Sequence, residues 1–304
     1  MTKRHLKRAL MMLLVVAMMA MTACAVDTSY PGTMNVVEAD KVIEDLNADS
    51  GIVVIDARGR EAYDKGHMAG AICLSVEEVV VETTVPNMLM PKDAFEKLMA
   101  DRGISNDSIV YIYDDKEGIF AARLWWTMKV YGHENVMIIN GGASALVNAG
   151  ATLTADETVL PTTSYTASEA NQSMIATIED VTAVVNGSTP NGKLLDVRSV
   201  AEYAEGFIPG AILYPHTQNL YKDGTFMSSR DLGLFYKDAG FEKDDAIIVY
   251  CKTSVRATQA VALLQEAGFT NLKVYDGAWL EWSLVNGTTA PTEETAPVGE
   301  SDGS

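Results

Sequence analysis

The chain is poor in cysteine. Three cysteines occur in 304 residues, and one of them, Cys24, lies in or near an amino-terminal targeting segment. The remaining two, Cys73 and Cys251, are too few for a disulfide framework, and a bridge between them is the less favoured alternative. No Cys/His spacing of the zinc type is present, so we expect no structural zinc site.

Basic residues are also scarce. The sequence has 23 Lys and Arg against 41 Asp and Glu, which gives a formal net charge of −18. Four basic residues and no acidic residue precede Cys24, so a mature chain that begins at Cys24 has 19 basic against 41 acidic residues, or −22. A surface of this sign repels nucleic acid, and we expect no polynucleotide partner.

The amino terminus has a short apolar run that is preceded by basic residues. The thirteen apolar residues Ala9–Met21 are typical of a signal peptide and short for a bilayer span. Met21-Thr22-Ala23-Cys24 resembles the lipobox of bacterial lipoproteins, with Met21 where leucine is usual. We therefore expect residues 1–23 to be a signal peptide and the mature protein to be an exported cell-envelope lipoprotein, held to a membrane through lipid on Cys24. The alternative is ordinary cleavage near Ala23-Cys24-Ala25 and a soluble secreted or periplasmic protein.

The rest of the chain contains an internal repeat. The segment Asp56–Ala71 recurs as Asp196–Ala211 at an offset of 140 residues, with Asp, Arg, Tyr, both Gly and the final Ala in register. Each copy follows an apolar strand and precedes a further strand-then-helix unit and a third strand. This predicts an α/β fold of two tandem domains, each a mostly parallel sheet flanked by helices. We expect the domains at residues 35–150 and 174–286, a linker at 151–173 and a disordered tail at 287–304.

The stretch around Cys251 is the candidate site. The apolar, β-branched run Ala246–Tyr250 is typical of a buried strand, and a helical pattern begins near Ala257. A cysteine between the two lies where α/β folds bind ligands, and the loop N–H groups and the helix N-terminus favour its thiolate. Cys251 is therefore the candidate nucleophile, with an inert buried thiol as the alternative.

Several motifs resemble those of the tandem-domain rhodaneses, the thiosulfate and 3-mercaptopyruvate sulfurtransferases, over roughly residues 35–285. They are the repeated Asp-x-Arg…Tyr…Gly…Gly-Ala segment, Trp125-Trp126 with Gly132-His133, Asn140-Gly141-Gly142, and Tyr275–Trp282. The resemblance implies a catalytically silent amino-terminal domain. It also implies that Cys251 takes the outer sulfur of a donor as a persulfide and passes it to an acceptor such as cyanide or a thiol, without a metal or organic cofactor.

The two halves differ at the position of the nucleophile. Tyr113-Asp114 stands in the first half where the second half has Tyr250-Cys251. A carboxylate there can accept the loop's hydrogen bonds but cannot carry sulfane sulfur, so we expect the first half to be a structural partner that covers the site. Its loop is expected to be longer, with nine positions from Asp114 to Arg123 against five from Cys251 to Arg256.

Six residues are candidates for substrate binding: Arg198, Lys252, Thr253, Ser254, Val255 and Arg256. Lys252 is interpreted as attracting an anionic donor, with a solvated surface charge as the alternative. Arg198 and Arg256 either bind substrate or pair with carboxylates, which for Arg198 are Asp196 or Glu202. Ser254 stands where the family usually has glycine, so either a positive φ there costs stability or the loop has another shape.

The loop length separates sulfur chemistry from phosphoryl chemistry. Cysteine phosphatases need Cys-x5-Arg, whereas this loop is Cys251-x4-Arg256, as in rhodaneses. Lys252 favours the dianion thiosulfate as the donor, and the small neutral pair Thr253-Ser254 keeps 3-mercaptopyruvate as an alternative. The alternative outside the enzyme class is a protein that binds or relays sulfane sulfur, or an oxyanion, without turnover.

We predict that Cys24 is the point of membrane attachment. Expressed in a bacterium with its own signal peptide, the wild-type chain should incorporate labelled palmitate and sediment with membranes, because several acyl chains anchor a protein firmly. Cys24→Ala should lose both the label and the sedimentation, whereas Cys73→Ala should keep both. Unlabelled, soluble wild-type protein outside the cytoplasm would instead support ordinary secretion.

Overall fold

The computed structural model describes residues 29–48 and 51–287. The predicted signal peptide, the Cys24 lipidation site and the tail beyond Gly287 lie outside these residues. Within them, no helix combines the length and apolar character needed to cross a membrane. Cys73 and Cys251 are both free thiols, so the alternative of a disulfide between them is not realised.

The first half is built on a five-stranded parallel sheet. Its strands are β1 (Val36–Val37), β2 (Ile52–Asp56), β4 (Ile72–Cys73), β7 (Ile109–Tyr113) and β8 (Val136–Ile139), in the order β1-β8-β7-β2-β4. Two short antiparallel pairs lie beside it, β3 (His67–Met68) with β9 (Leu153–Thr154) and β5 (Val80–Val81) with β6 (Met88–Leu89). The helices are α1 (Ala39–Ala48), α2 (Arg60–Lys65), α3 (Lys92–Asp101), α4 (Ile119–Val130) and α5 (Gly142–Asn148).

The second half repeats this topology. Its strands are β10 (Ile175–Ala176), β11 (Gly192–Asp196), β12 (Ala211–Leu213), β13 (Ala246–Tyr250) and β14 (Leu272–Tyr275), in the parallel order β10-β14-β13-β11-β12. The helices are α6 (Ile178–Val185), α7 (Val200–Glu205), α8 (Ser229–Asp238), α9 (Val255–Glu266) and α10 (Ala278–Asn286). The predicted fold of two tandem α/β domains with parallel sheets is confirmed.

The central strand of each sheet is apolar because both of its faces are covered. The last four residues of β7 and of β13 are all buried, which is typical of strands inside a parallel sheet with a layer on each side. In the second sheet, Tyr250 pairs with Asp196 of β11, and Val249 pairs with Val274 of β14. The segments that follow β11, β13 and β14 therefore emerge at the same edge of the sheet, where ligands bind in such folds.

The two halves share one core. A single cluster of buried apolar residues contains members of both sheets together with α4 and α9, and separate clusters cover the other face of each sheet. Helices α4 and α9 contact each other, and most of their residues are buried. A helix buried on nearly all sides lies between two layers. The boundary between the halves is thus part of the hydrophobic core.

The segment predicted as a linker, residues 151–173, follows the surface of the first half. Its strand β9 pairs with β3, and the N–H groups of Ser168 and Asn171 donate to the carbonyls of Tyr131 and Val130, each at 2.9 Å. The segment before β1 contacts the second half. The N–H of Asn35 donates to the Glu266 carboxylate of α9 at 2.7 Å. Each end of the first domain is therefore fixed by contacts beyond its own sheet.

Because the core is shared, we predict that the two halves unfold together. Leu264→Ala truncates a fully buried residue of α9 and should lower the free energy of unfolding by about 2–5 kcal/mol. Tryptophan fluorescence and Cys251 thiol accessibility should report the same lowered urea midpoint. Val285→Ala, at a position 67% exposed, is the control and should change the stability by no more than about 0.5 kcal/mol. Two separate transitions, one of them insensitive to Leu264→Ala, would indicate independent domains.

Candidate active site

Cys251 lies at the carboxyl end of the central strand, directly before a long helix. Strand β13 ends at Tyr250, and α9 begins at Val255, so a four-residue loop joins the two. Cys251 is 1% exposed, and Lys252 beside it is exposed. The loop that follows Cys251 leads directly into the N-terminus of the 12-residue helix α9, and backbone N–H groups in such a position stabilise negative charge.

The corresponding loop of the first half shows what this arrangement binds. The Asp114 carboxylate accepts four hydrogen bonds, from the N–H groups of Lys116, Gly118, Phe120 and Ala121, at 2.8–2.9 Å. Burial raises the pKa of the Asp114 carboxyl, and the four N–H donors act in the opposite direction. As expected from the sequence, a carboxylate in this loop takes the hydrogen bonds of the loop. We call each of these two loops a cradle, defined by residues 114–118 in the first half and 251–254 in the second.

The two cradles differ in length by one residue, because five residues join β7 to α4 and four join β13 to α9. In both halves the last cradle residue precedes the helix in the left-handed conformation, Gly118 at φ 77° and Ser254 at φ 63°. Arg123 is therefore the fifth residue of α4 and corresponds to Gln259, the fifth residue of α9. The prediction that the first loop is the longer one is confirmed, but the difference is one residue and not four, because Arg123 does not correspond to Arg256.

Two residues next to Cys251 have backbone conformations that favour glycine. Ser254 has φ 63° and Ala278 has φ 53°, whereas their counterparts in the first half are Gly118 and Gly142. A Cβ atom at Gly142 would lie 2.2 Å from the Asp114 carbonyl oxygen. Non-glycine residues in this region are strained, and such strain is concentrated at functional sites. Of the two alternatives for Ser254, the positive φ is the one observed.

The Ser254 hydroxyl is buried at the boundary between the two halves. Ser254 is fully buried, and its Oγ accepts a hydrogen bond from Arg123 at 2.7 Å. The same Oγ lies 2.7 Å from the Thr253 carbonyl and 3.1 Å from Asp276 Oδ1. The hydroxyl is thus engaged at the boundary between the halves, and the predicted contact of Ser254 with substrate stays a prediction. Thr253 and Val255 are partly buried in the loop, and their substrate contacts stay predictions.

Arg256 is held by a carboxylate beside the nucleophile. Its two terminal nitrogens donate to the two Glu202 oxygens, each at 2.7 Å. This pairing holds the pKa of Glu202 at about 2, against the opposing effect of burial. Burial also acts to lower the pKa of Arg256, but Glu202 and the neighbouring Cys251 raise it well above its usual value. Both interpretations of Arg256 thus describe it in part, since it pairs with a carboxylate and also places positive charge beside the sulfur.

Arg198 lies in a salt bridge. Its Nε and Nη2 atoms donate to Asp196 at 2.6–3.0 Å, and Nη2 also donates to the Gly206 carbonyl at 2.7 Å. Arg58 makes the same contacts with Asp56 and Gly66 in the first half. A pair that recurs beside Asp114, where no nucleophile is present, favours the structural alternative for Arg198. Its predicted contact with substrate stays a prediction.

Sequence reasoning missed the residues that connect the first half to the cradle. Arg123 is fully buried, and it donates to both Ser254 and Asp276. The signal in the sequence was a single arginine inside the otherwise apolar first two turns of the Ile119–Val130 helix, since a fully buried charge needs a partner. Asp276 belongs to the Tyr275–Trp282 motif, to which no role at the cradle was assigned.

Comparison with known proteins agrees with this geometry. The sequence profile of the rhodanese-like domain matches residues 38–149 and 179–284. "Putative thiosulfate sulfurtransferase 1" of Mycobacterium bovis is 34% identical over 274 residues, which cover 84% of this chain and 96% of that protein. "Sulfur carrier protein TtuD" of Thermus thermophilus is 33% identical over 251 residues, covering 76% and 88%.

A solved structure with the rhodanese fold is also similar to this chain. SseA of Escherichia coli, described as a 3-mercaptopyruvate sulfotransferase with the rhodanese fold, matches with a TM-score of 0.74 and 27% identity. The match covers 81% of this chain and 99% of SseA. Together with the profile match in both halves, these similarities show that the chain belongs to the rhodanese-like family, with one such domain in each half.

Proposed function

We propose that this protein is a sulfurtransferase that moves sulfane sulfur from a small anionic donor to a thiophilic acceptor through a persulfide on Cys251. The observation that carries the proposal is the pair of cradles. The first cradle and the first turn of α4 together hold a carboxylate with four N–H groups, and the second half presents a thiol at the same end of the corresponding strand. An N–H-lined pocket that binds a negative group suits a thiolate and the terminal sulfur of a persulfide.

In the first half-reaction the Cys251 thiolate attacks the outer sulfur of thiosulfate. The new Cys251–sulfur bond forms as the sulfur–sulfur bond of the donor breaks, and sulfite leaves with the bonding electron pair. The outer sulfur keeps the negative charge that it carries in thiosulfate, so the negative charge of the enzyme lies on the cysteine sulfur before the step and on the terminal persulfide sulfur after it. The cradle N–H groups and the Arg256 guanidinium stabilise this charge throughout the step.

In the second half-reaction the acceptor attacks the terminal sulfur. With cyanide, the carbon lone pair forms the new carbon–sulfur bond, the persulfide bond breaks, and its electron pair returns to Cys251 as the thiolate. Thiocyanate leaves and the enzyme is regenerated, so the cycle has two steps of covalent catalysis. A thiol acceptor reacts in the same way and leaves as a persulfide.

The charges around the loop support thiosulfate as the donor. Arg256 and Arg198 are both engaged by carboxylates, whereas Lys252 is exposed and has no ion-pair partner among the described residues. Its charge is therefore available to a dianion. The relative from Mycobacterium bovis is named for thiosulfate. SseA is described as acting on 3-mercaptopyruvate, which is the second donor to test.

A second candidate function is a sulfur carrier that passes its persulfide to a partner protein. The relative from Thermus thermophilus, 33% identical, is named a sulfur carrier protein. The chemistry of loading Cys251 is the same in both cases, and the two functions differ in whether a small acceptor is turned over. We further propose that the mature protein acts at the cell envelope, attached through Cys24, on the strength of the amino-terminal sequence.

We predict that sulfur transfer depends on Cys251. The mature chain without its lipid, incubated with thiosulfate and cyanide, should produce thiocyanate, and Cys251→Ser should reduce the rate to background because a serine hydroxyl does not form a persulfide. Cys73→Ser is the matched control and should retain full activity. A persulfide that forms on Cys251 but transfers to no small acceptor would favour the carrier. Absence of any persulfide at Cys251, with either donor, would contradict both functions.

We also predict that Lys252 selects for negative charge in the donor. Lys252→Met should raise KM for thiosulfate about fivefold, with a smaller effect on kcat, because an exposed charge contributes about 1 kcal/mol to a contact. The increase should be smaller for 3-mercaptopyruvate, which has one negative charge fewer, and it should shrink at high salt. Lys65→Met, on the exposed surface of α2, is the control. Equal effects on the two donors would show that Lys252 does not recognise charge.

A further inference from the structure

A residue of the first half reaches into the cradle of the second. Arg123 of α4 is fully buried. Its Nη1 atom donates to Ser254 Oγ at 2.7 Å and to Asp276 Oδ1 at 2.9 Å. Its Nη2 atom donates to the Asn87 carbonyl at 2.9 Å, and the guanidinium lies over the Trp126 ring, 4.8 Å from the ring centroid. Two of the partners that compensate this buried charge therefore belong to the catalytic half.

The contacts made by the corresponding residues at the first cradle are of a different chemical type. Gln259, the fifth residue of α9, donates to the Glu117 carbonyl at 2.8 Å. Asn140, which corresponds to Asp276, accepts from the Phe226 N–H at 2.7 Å. These contacts are neutral, and Gln259 reaches a backbone atom of the first cradle. The second cradle is instead held through a side chain by a buried cation.

That side chain belongs to the strained residue of the catalytic loop. Ser254 has φ 63° and ψ −17°, and its counterpart Gly118 adopts a similar conformation without a Cβ atom. A residue with a Cβ atom leaves this region unless its surroundings hold it there. The hydrogen bond from Arg123 to Ser254 Oγ is charge-assisted and buried, which makes it strong enough to hold the turn.

We propose that Arg123 is a positioning residue for the sulfur cradle, and that it acts by holding Ser254 in the left-handed conformation. The left-handed turn directs the loop N–H groups and the start of α9 toward the Cys251 sulfur. The first domain thereby influences catalysis through the conformation of the cradle of the second. The proposal rests on the proposed sulfur transfer for its activity assay, and it has a second readout that does not.

The test compares Ser, Ala and Gly at position 254, each with Arg or Lys at position 123. The two readouts are kcat/KM for thiosulfate and cyanide, and the rate at which iodoacetamide alkylates the Cys251 peptide across a range of pH, followed by mass spectrometry. Ser254→Ala should lower both rates about tenfold, because it keeps the Cβ atom and loses the hydrogen bond. Ser254→Gly should lower both rates clearly less than Ser254→Ala does, because glycine adopts the turn without the contact.

The effect of Arg123→Lys should depend on residue 254. With Ser254 present, Arg123→Lys should lower both rates about tenfold, since lysine lacks the planar fork that reaches Ser254 and Asp276 together. In the Ser254→Gly background the same change should cost less than about threefold. Alanine at least as active as glycine, or an equal effect of Arg123→Lys in both backgrounds, would overturn the proposal.

Asn140→Ala is the matched control, because Asn140 corresponds to Asp276. The change removes the hydrogen bond from the Phe226 N–H and leaves the catalytic cradle untouched. It should leave both rates within about twofold. A loss as large as that of Arg123→Lys would assign the effect to general docking of the domains and would also overturn the proposal. If no variant produces thiocyanate, the proposed function fails, whereas the order of the alkylation rates still decides the role of Arg123.

Discussion

The packing of α4 against α9 is the constraint on which the rest of the structure depends. Each helix begins at a cradle, and each is buried on nearly all sides between its own sheet and the other half. The two cradles therefore cannot move independently, because a shift of either helix would disturb the shared core. The candidate nucleophile Cys251 lies in one half, but the position of its loop is determined by both.

The same backbone device serves two different groups. In the first half it binds the carboxylate of Asp114, which belongs to the chain and fills the site permanently. In the second half the same loop follows Cys251, where we propose that the negative group is a sulfur that arrives and leaves. Since the N–H groups recognise charge rather than the element that bears it, one loop architecture supports a structural role and a chemical one. The difference comes from Cys251 against Asp114 and from one residue of loop length.

Much of the fold and part of the site could be predicted from the sequence. The repeat at an offset of 140 residues and the apolar strands that follow it predicted two parallel α/β domains. Buried strands and turn glycines produce a recognisable pattern in the sequence, and this pattern recurs in each half. The position of Cys251 at a strand end followed from the same pattern. The direction of the Ser254 hydroxyl could not be predicted, because it depends on Arg123 of the other half. The correspondence of Arg123 with Gln259 depends on where each helix begins, which a sequence pattern places only to within a few residues.

The sequence by itself determined the candidate nucleophile, the asymmetry between Cys251 and Asp114, and the architecture in which they lie, since all three follow from residue types at local spacing. Tertiary structure decided which cations remain available and which are engaged. Arg198 and Arg256 are paired with carboxylates and Arg123 is buried at the domain boundary, whereas Lys252 remains exposed at the loop. The physical reason is that the cost of burying a charge is met by whichever partner the fold brings near, and that partner can be more than a hundred residues away in the chain.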